Sequence, residues 1–213
     1  MNQSIPIPAR IARLPVCPVR QVPVPWFVAW IDGKPEFRMA HGAKRATALN
    51  QNRCWVCGSN LGGERVFVAG PMCVVNRVSA EPPVHLECGE YSARACPFLS
   101  KPHMVRREAG RPEGNDPPGH MIARNPGCVA VVHSLGFRLV PDGKGQQLID
   151  MGTFARVDWW DEGRPATRDE VLAAVEGGLP ALHALAVKQG PAAEKELGRM
   201  VMAAEQWWPT EAA

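Results

Sequence analysis

Four residues constrain this chain more than any others: Cys54, Cys57, His85 and Cys88. Cys54-Trp55-Val56-Cys57 is a CxxC, and His85-Leu86-Glu87-Cys88 is an HxxC, with 27 residues between Cys57 and His85. Zn2+ favours four soft or borderline ligands in a tetrahedron, and a Cys3His set in two close pairs supplies them. Each pair can grip the ion from one short piece of backbone. Gly58 follows the second Cys, where a tight knuckle turn needs positive φ. Four protein ligands fill the coordination sphere, so the site reads as structural zinc rather than as a catalytic centre with an open position. Cys96 and His103 are the substitutes if one of the four is misassigned.

The chain is long enough, at 213 residues, for one domain with a substantial core or two small ones. Its 21 Pro and 20 Gly favour turns and short elements over long helices. It has no apolar run with a basic flank near its start and no run approaching the length of a membrane span, so the reading is cytoplasmic. In a reducing cytosol, a CxxC with an HxxC means metal rather than a disulfide framework. Cys17, Cys73, Cys96 and Cys128 then read as small buried apolar residues.

Charge is unevenly spread. Residues 1–112 carry 15 Lys/Arg against 7 Asp/Glu, a balance of +8; residues 113–213 carry 9 against 14, a balance of −5. The basic half holds the candidate zinc site, and that asymmetry is compatible with an acidic partner such as nucleic acid. Arg77, Arg94, Arg106 and Arg107 are the candidate phosphate contacts, because guanidinium forks suit phosphate oxygens. Trp55 either stacks on a base or packs over the knuckle. The pairs Trp159-Trp160 and Trp207-Trp208 could anchor a protein partner, but one core and one half-exposed Trp in each is the plainer expectation.

Four segments follow along the chain. Residues 1–24 form a Pro-rich arm, expected to be extended and not helical. Residues 25–105 hold a hairpin (25–30 with 35–39), a short polar helix (41–52) and the zinc module. In that module, residues 64–69 should pair with 72–76 across a Gly70-Pro71 turn, before a helix from His85 to Ala95. Residues 106–119 read as a linker or loop. Residues 120–213 give a small antiparallel sheet (128–133, 137–140, 147–149 and 155–160) and then helices. Thr167 and Glu170 form a capping box for a helix that should stop at Gly177-Gly178. A second helix opens at Pro180 and a third at Pro191, the third presenting Leu197, Met200, Val201, Ala204, Trp207 and Trp208 to the core or to a partner. The expected fold class is α+β: small antiparallel sheets, a zinc module and a helical C-terminal segment.

The order of knuckle, hairpin and ligand-bearing helix resembles a treble-clef zinc finger over about 40 residues. On a helix, His85 and Cys88 share one face and can point at one metal. Many treble-clef modules belong to HNH-type nucleases. Here Asn76 could serve as the Asn of such a site, but residues 64–84 contain no His to act as general base. His85-Leu86-Glu87 matches the H-x-E of zinc deaminases without the downstream P-C-x-x-C. The run from Cys54 to Leu99, with Gly-Pro-Met-Cys at 70–73, Asn76-Arg77, Glu81-Pro82-Pro83 and Cys96-Pro97-Phe98-Leu99, resembles a group of uncharacterised phage and bacterial proteins. So does the stretch Glu162 to Thr167 with the helix after it. That resemblance implies a cytosolic, mobile-element protein with a zinc finger and no assigned activity. The leading expectation is a zinc-stabilised, non-enzymatic protein that binds nucleic acid. The alternatives are a protein-binding accessory or inhibitor factor and a divergent HNH-like nuclease.

Overall fold

A computed structural model describes residues 5–101, 104–105, 118–119 and 125–210. Along the chain run helix α1 (Ala9–Ala12), strands β1 (Val28–Ile31) and β2 (Lys34–Ala40), helix α2 (Gly42–Asn50), strand β3 (Val66–Ala69), helix α3 (Pro71–Asn76) and strand β4 (Val78–Ser79). Helices α4 (Leu86–Ala95) and α5 (Pro97–Ser100) follow, then strands β5 (Val129–Ser134), β6 (Arg138–Pro141), β7 (Gln147–Asp150), β8 (Phe154–Asp161) and β9 (Arg164–Pro165). Helices α6 (Arg168–Gln189) and α7 (Pro191–Ala204) and a 3-10 turn (Glu205–Trp207) complete it. The fold is α+β, with every sheet small and antiparallel.

The organising element is the sheet β3-β5-β8-β9. Its central strand β5 begins Val129-Ala130-Val131-Val132, all four at most 1% exposed. A strand buried on both faces reads as a continuous apolar run rather than an alternating one. Period-2 geometry sends Val129 and Val131 to one face and Ala130 and Val132 to the other. On the first face Val129 and Val131 join Val66, Val84, Cys54 and Cys88. On the second, Ala130 and Val132 join Phe67, Trp159, Val74, Val171 and Leu197. The candidate ligand cysteines and the C-terminal helices therefore lie against opposite sides of one sheet.

This pairing corrects two expectations. Residues 72–76 do not return as the partner of 64–69; they form α3, with Pro71 at its first position and Arg77 in the left-handed region (φ 59°) at its end. Pro at the first helical position is preset for helix. The actual partner of β3 is β5, in register from Val66↔His133 to Ala69↔Ala130. The expected single sheet of residues 128–160 is likewise two: β7 pairs with β4 on one side and β6 on the other, while β5 and β8 belong to the central sheet. Residues placed in separate N- and C-terminal segments thus share both of these sheets.

The Pro-rich arm, expected to be extended and not helical, contains a helix. One helical turn forms between Pro8 and Arg13, burying Ile11, and Val16 bridges to Pro23 while Cys17 and Val24 are buried. A fourth correction is α6. Its Thr167/Glu170 capping box is present as expected, but the helix runs on through Gly177, Gly178 and Pro180 to Gln189. Gly178 is a contact rather than a stop: a Cβ there would lie 2.8 Å from Met72 Cγ. Being continuous, α6 is long and apolar enough to cross a membrane by length and composition. Here it packs Val171, Val175, Gly178 and Ala186 inward. Gly190 and Pro191 separate α6 from α7 as the sequence indicates.

Both Trp pairs divide as expected. Trp159 and Trp208 are buried and meet edge-on at 5.6 Å, while Trp160 and Trp207 are half-buried. The Trp159 indole N–H donates to the Trp207 carbonyl at 2.8 Å, which pins the end of the chain to β8.

Candidate metal centre

The four ligand candidates converge. One donor atom from each of Cys54, Cys57, His85 and Cys88 lies within 4.8 Å of every other. Local backbone bonds build the first pair. Gly58 N–H donates to the Cys54 carbonyl at 2.8 Å, Cys54 N–H donates to the Ser59 carbonyl at 2.9 Å, and Arg53 bridges to Asn60. The knuckle closes through Gly58 at φ 72°. The second pair comes from the start of α4. His85 is the extended N-cap residue and Cys88 lies in the first turn, so both ligands leave the same end of the helix. In place of the expected hairpin of 64–69 with 72–76, a single bridge, Val66↔Val84, spans the connection, with α3 and β4 lying within it.

Hydrogen bonds orient the donors. His85 Nε2 lies 3.0 Å from the Asn60 carbonyl. A carbonyl only accepts, so the ring proton is assigned to Nε2 and the Nδ1 lone pair is left for the ligand cluster. Nδ1 lies 3.4 Å from Cys57 Sγ and 4.0 Å from Cys88 Sγ. Metal-bound His commonly donates its other N–H in this way. The Ser59 hydroxyl contacts Cys57 Sγ at 3.0 Å, and His85 N–H reaches Cys54 Sγ at 3.5 Å.

Burial and charge point the same way. Cys54 and Cys88 are fully buried and His85 is 2% exposed; Cys57 is half-buried. Three thiols this close cannot all ionise by themselves. Hydrogen bonds from Cys54 and then Cys88 hold the Cys57 thiol far below the ordinary range. The same contacts push Cys54 up, chiefly through Cys57, and Cys88 up, chiefly through Cys54. A divalent cation resolves that conflict, because thiolates are its ligands. The donor set, its spacing and the assigned His proton all fit such an ion.

The aromatic surroundings seal the knuckle. Trp55 is 3% exposed, stacked on Phe27 at 5.0 Å and edge-on to Trp26 at 6.4 Å. It packs within the module rather than standing out to meet a base. Glu87, the acidic end of the H-x-E match, accepts from Arg10 Nε at 2.8 Å. The other cysteines stand apart from the cluster. Cys17 and Cys128 are buried, whereas Cys73 and Cys96 are half-buried. Burial pushes the Cys73 thiol up to about 11 and the Cys128 thiol up to about 12.

The arginines proposed as phosphate contacts are distributed. Arg94, in α4, lies over the Trp160 ring at 5.7 Å, with its Nε buried and without a hydrogen-bond partner among the described residues. Arg77 lies over Phe154 at 5.1 Å, and its Nη1 reaches the Gly152 carbonyl at 3.4 Å. Asn76 accepts the Val78 N–H at 2.9 Å and so caps the end of α3. Arg106, Arg107, His103 and most of the expected 106–119 linker lie outside the described residues.

The sequence reading missed the basic side chains nearest the knuckle. Arg53 Nη1 donates to the Gly58 carbonyl at 3.3 Å, and Arg65 Nη1 to the Gly62 carbonyl at 3.0 Å. Their adjacency to the CxxC was the available signal. No family model, curated protein or solved structure matches this chain.

Proposed function

We propose that this chain is a zinc-stabilised binding protein whose basic half engages nucleic acid in the reducing cytoplasm. The observation that carries the reading is the difference in charge pairing between the two halves. Arg13, Arg20, Lys34, Arg53, Arg65 and Lys101 form no ion pair with a described carboxylate, and all but Arg65 are exposed. In the same basic half Arg10 and Arg38 pair with Glu87 and Glu36, whereas in the acidic half Arg138, Arg156, Arg164 and Arg199 are paired with Asp or Glu and Lys144, Arg168, Lys188 and Lys195 are not, among the described residues. The positive field of the basic half is therefore left facing solvent, which is what a polyanion requires. The knuckle, β3 and α4 support a treble-clef-like reading of the module. A filled ligand sphere makes the metal a staple that holds Arg53 and Arg65 in place.

The test combines metal content with anisotropy of labelled DNA and RNA over a salt series. One zinc per chain is expected, with affinity that falls linearly in log–log form and a slope of about −2 or steeper. Arg53→Glu with Arg65→Glu should flatten that slope. Metal-free protein, or binding indifferent to salt, would sink the reading.

A protein-binding accessory role has one observation of its own. The outer face of α6 exposes Ala173, Gly177, Pro180, Ala181, Ala184 and Val187, with little charge among them. Salt-tolerant association with one protein would favour it.

A further inference from the structure

A groove of about 270 Å³ opens between the end of α3 and one face of α7. Val74, Val75, Met200, Ala203 and Ala204 supply apolar wall, and Asn76, Arg77, Glu196 and Arg199 supply polar wall. Small-molecule sites are typically concave and mostly apolar, with a few convergent polar groups. The volume falls just below the usual range of about 300–1,000 Å³, too small for a nucleotide to be enclosed.

The two arginines are not equivalent. Arg199 is already paired with Glu196 one turn away on α7. Arg77 has no carboxylate partner among the described residues. Among the described residues its side chain makes one hydrogen bond, at 3.4 Å to the Gly152 carbonyl, which lies at the limit of such contacts and uses one of its five N–H donors. The guanidinium is also held in place. It lies over Phe154 at 5.1 Å, and Phe154 packs on Trp207 at 5.7 Å. The backbone carbonyl of Arg77 accepts the Met151 N–H at 2.8 Å, which fixes its left-handed conformation (φ 59°).

We propose that this groove binds a small organic carboxylate, with the carboxylate on Arg77 and the apolar body against Val74, Met200 and Ala203. One guanidinium with no acidic partner matches one planar monoanion, which it can grip with two parallel N–H bonds. A phosphate dianion would bring a second charge toward Glu196, whose partner Arg199 is already neutralised. The site is separate from the metal centre, on the opposite side of the central sheet. It does not rest on the nucleic-acid reading.

The test is calorimetric titration of the full, metal-loaded chain with benzoate, isovalerate, phenyl phosphate and inorganic phosphate. Benzoate and isovalerate should bind saturably, with Kd of about 0.1–1 mM as befits ligands of fewer than ten heavy atoms. Arg77→Met should weaken that binding about tenfold or more. Ala203→Leu narrows the groove from an exposed helix position, so it should fold normally and show the same loss. The proposal is overturned if neither carboxylate binds saturably, or if benzoate binds Ala203→Leu as it binds the parent. Tighter binding of phenyl phosphate or inorganic phosphate than of benzoate would also overturn it.

Discussion

The indole of Trp26 occupies the space that a side chain on Gly58 would need: a Cβ there would lie 2.5 Å from Trp26 Cγ. Gly58 also has φ 72°, a conformation that costs an L residue roughly 1–2 kcal/mol. The two effects act on the loop that carries Cys54 and Cys57. Gly58→Ala should therefore destabilise the metal-loaded protein by more than about 2 kcal/mol, readable in urea unfolding. In Trp26→Ala the clash disappears, so the two substitutions should combine less than additively. Strict additivity would mean that only the backbone term matters.

Ser59 gives a second prediction about the same loop. Its hydroxyl contacts Cys57 Sγ at 3.0 Å, and Cys57 is the one ligand that is not fully buried. Outer partners of this kind typically contribute about 10–100-fold to metal affinity. Ser59→Ala should weaken zinc binding about tenfold in competition with a chelator, while leaving one zinc per chain at saturation. Cys88→Ala should instead abolish stoichiometric binding and the cooperative melt, since it removes a ligand held inside the core. Equal affinities for Ser59→Ala and parent would show that the hydroxyl does not tune the thiolate.

Where sequence alone was readable, the signals were local and chemical. The CxxC and HxxC pairs, the Thr167/Glu170 capping box, the Gly190-Pro191 break and the divided Trp pairs each depend on residues close together in the chain. Where it failed, the deciding contact was distant. Val74 and Val75 favour strand by propensity, yet they turn inward from α3 onto the core shared with α6 and α7. Gly177-Gly178 looks like a helix end because glycine is a common one. In fact Gly178 permits close packing of α6 on Met72. The β3–β5 pairing joins residues more than sixty positions apart, and no local pattern announces it. The expected 64–69 with 72–76 hairpin thus fails on a distant contact, while the four Cys and His side chains of the two short pairs do converge.

Glu170 carries the clearest pH dependence outside the metal centre. Its Oε2 accepts from Arg164 Nη1 at 2.9 Å and from the Thr167 backbone N–H at 2.8 Å. Arg164 first, and then the backbone, lower its pKa from 4.5 to about 2. A depressed carboxyl pKa stabilises the fold above the unfolded value and loses that contribution as pH falls from 4.5 toward 2. The site is near the surface, so screening holds the effect to about 0.5–1 kcal/mol. Glu170→Gln should be less stable than the parent by about that amount at neutral pH, with the gap narrowing as the pH drops below 4.5. The comparison of two metal-loaded proteins in parallel cancels the acid sensitivity of the thiolates. A gap that stays constant down to acid pH would show that the Arg164 pair contributes nothing measurable.

Phe67 tests whether the two halves of the chain unfold together. It is fully buried in β3, beside the metal module in sequence, yet it packs with Val74, Val132 and the C-terminal helices. It meets Phe137 edge-on at 6.0 Å. Its strand neighbours Val66 and Val68 pack on the opposite face, against the ligand cluster. Truncating such a ring typically costs about 3–5 kcal/mol. If the sheet joins both cores, Phe67→Ala should shift a single unfolding transition, seen alike by Trp fluorescence and by release of zinc to an indicator. Two separated transitions, with zinc release unmoved, would mean that the metal module is stable by itself and that the β3–β5 pairing does not couple it to the rest.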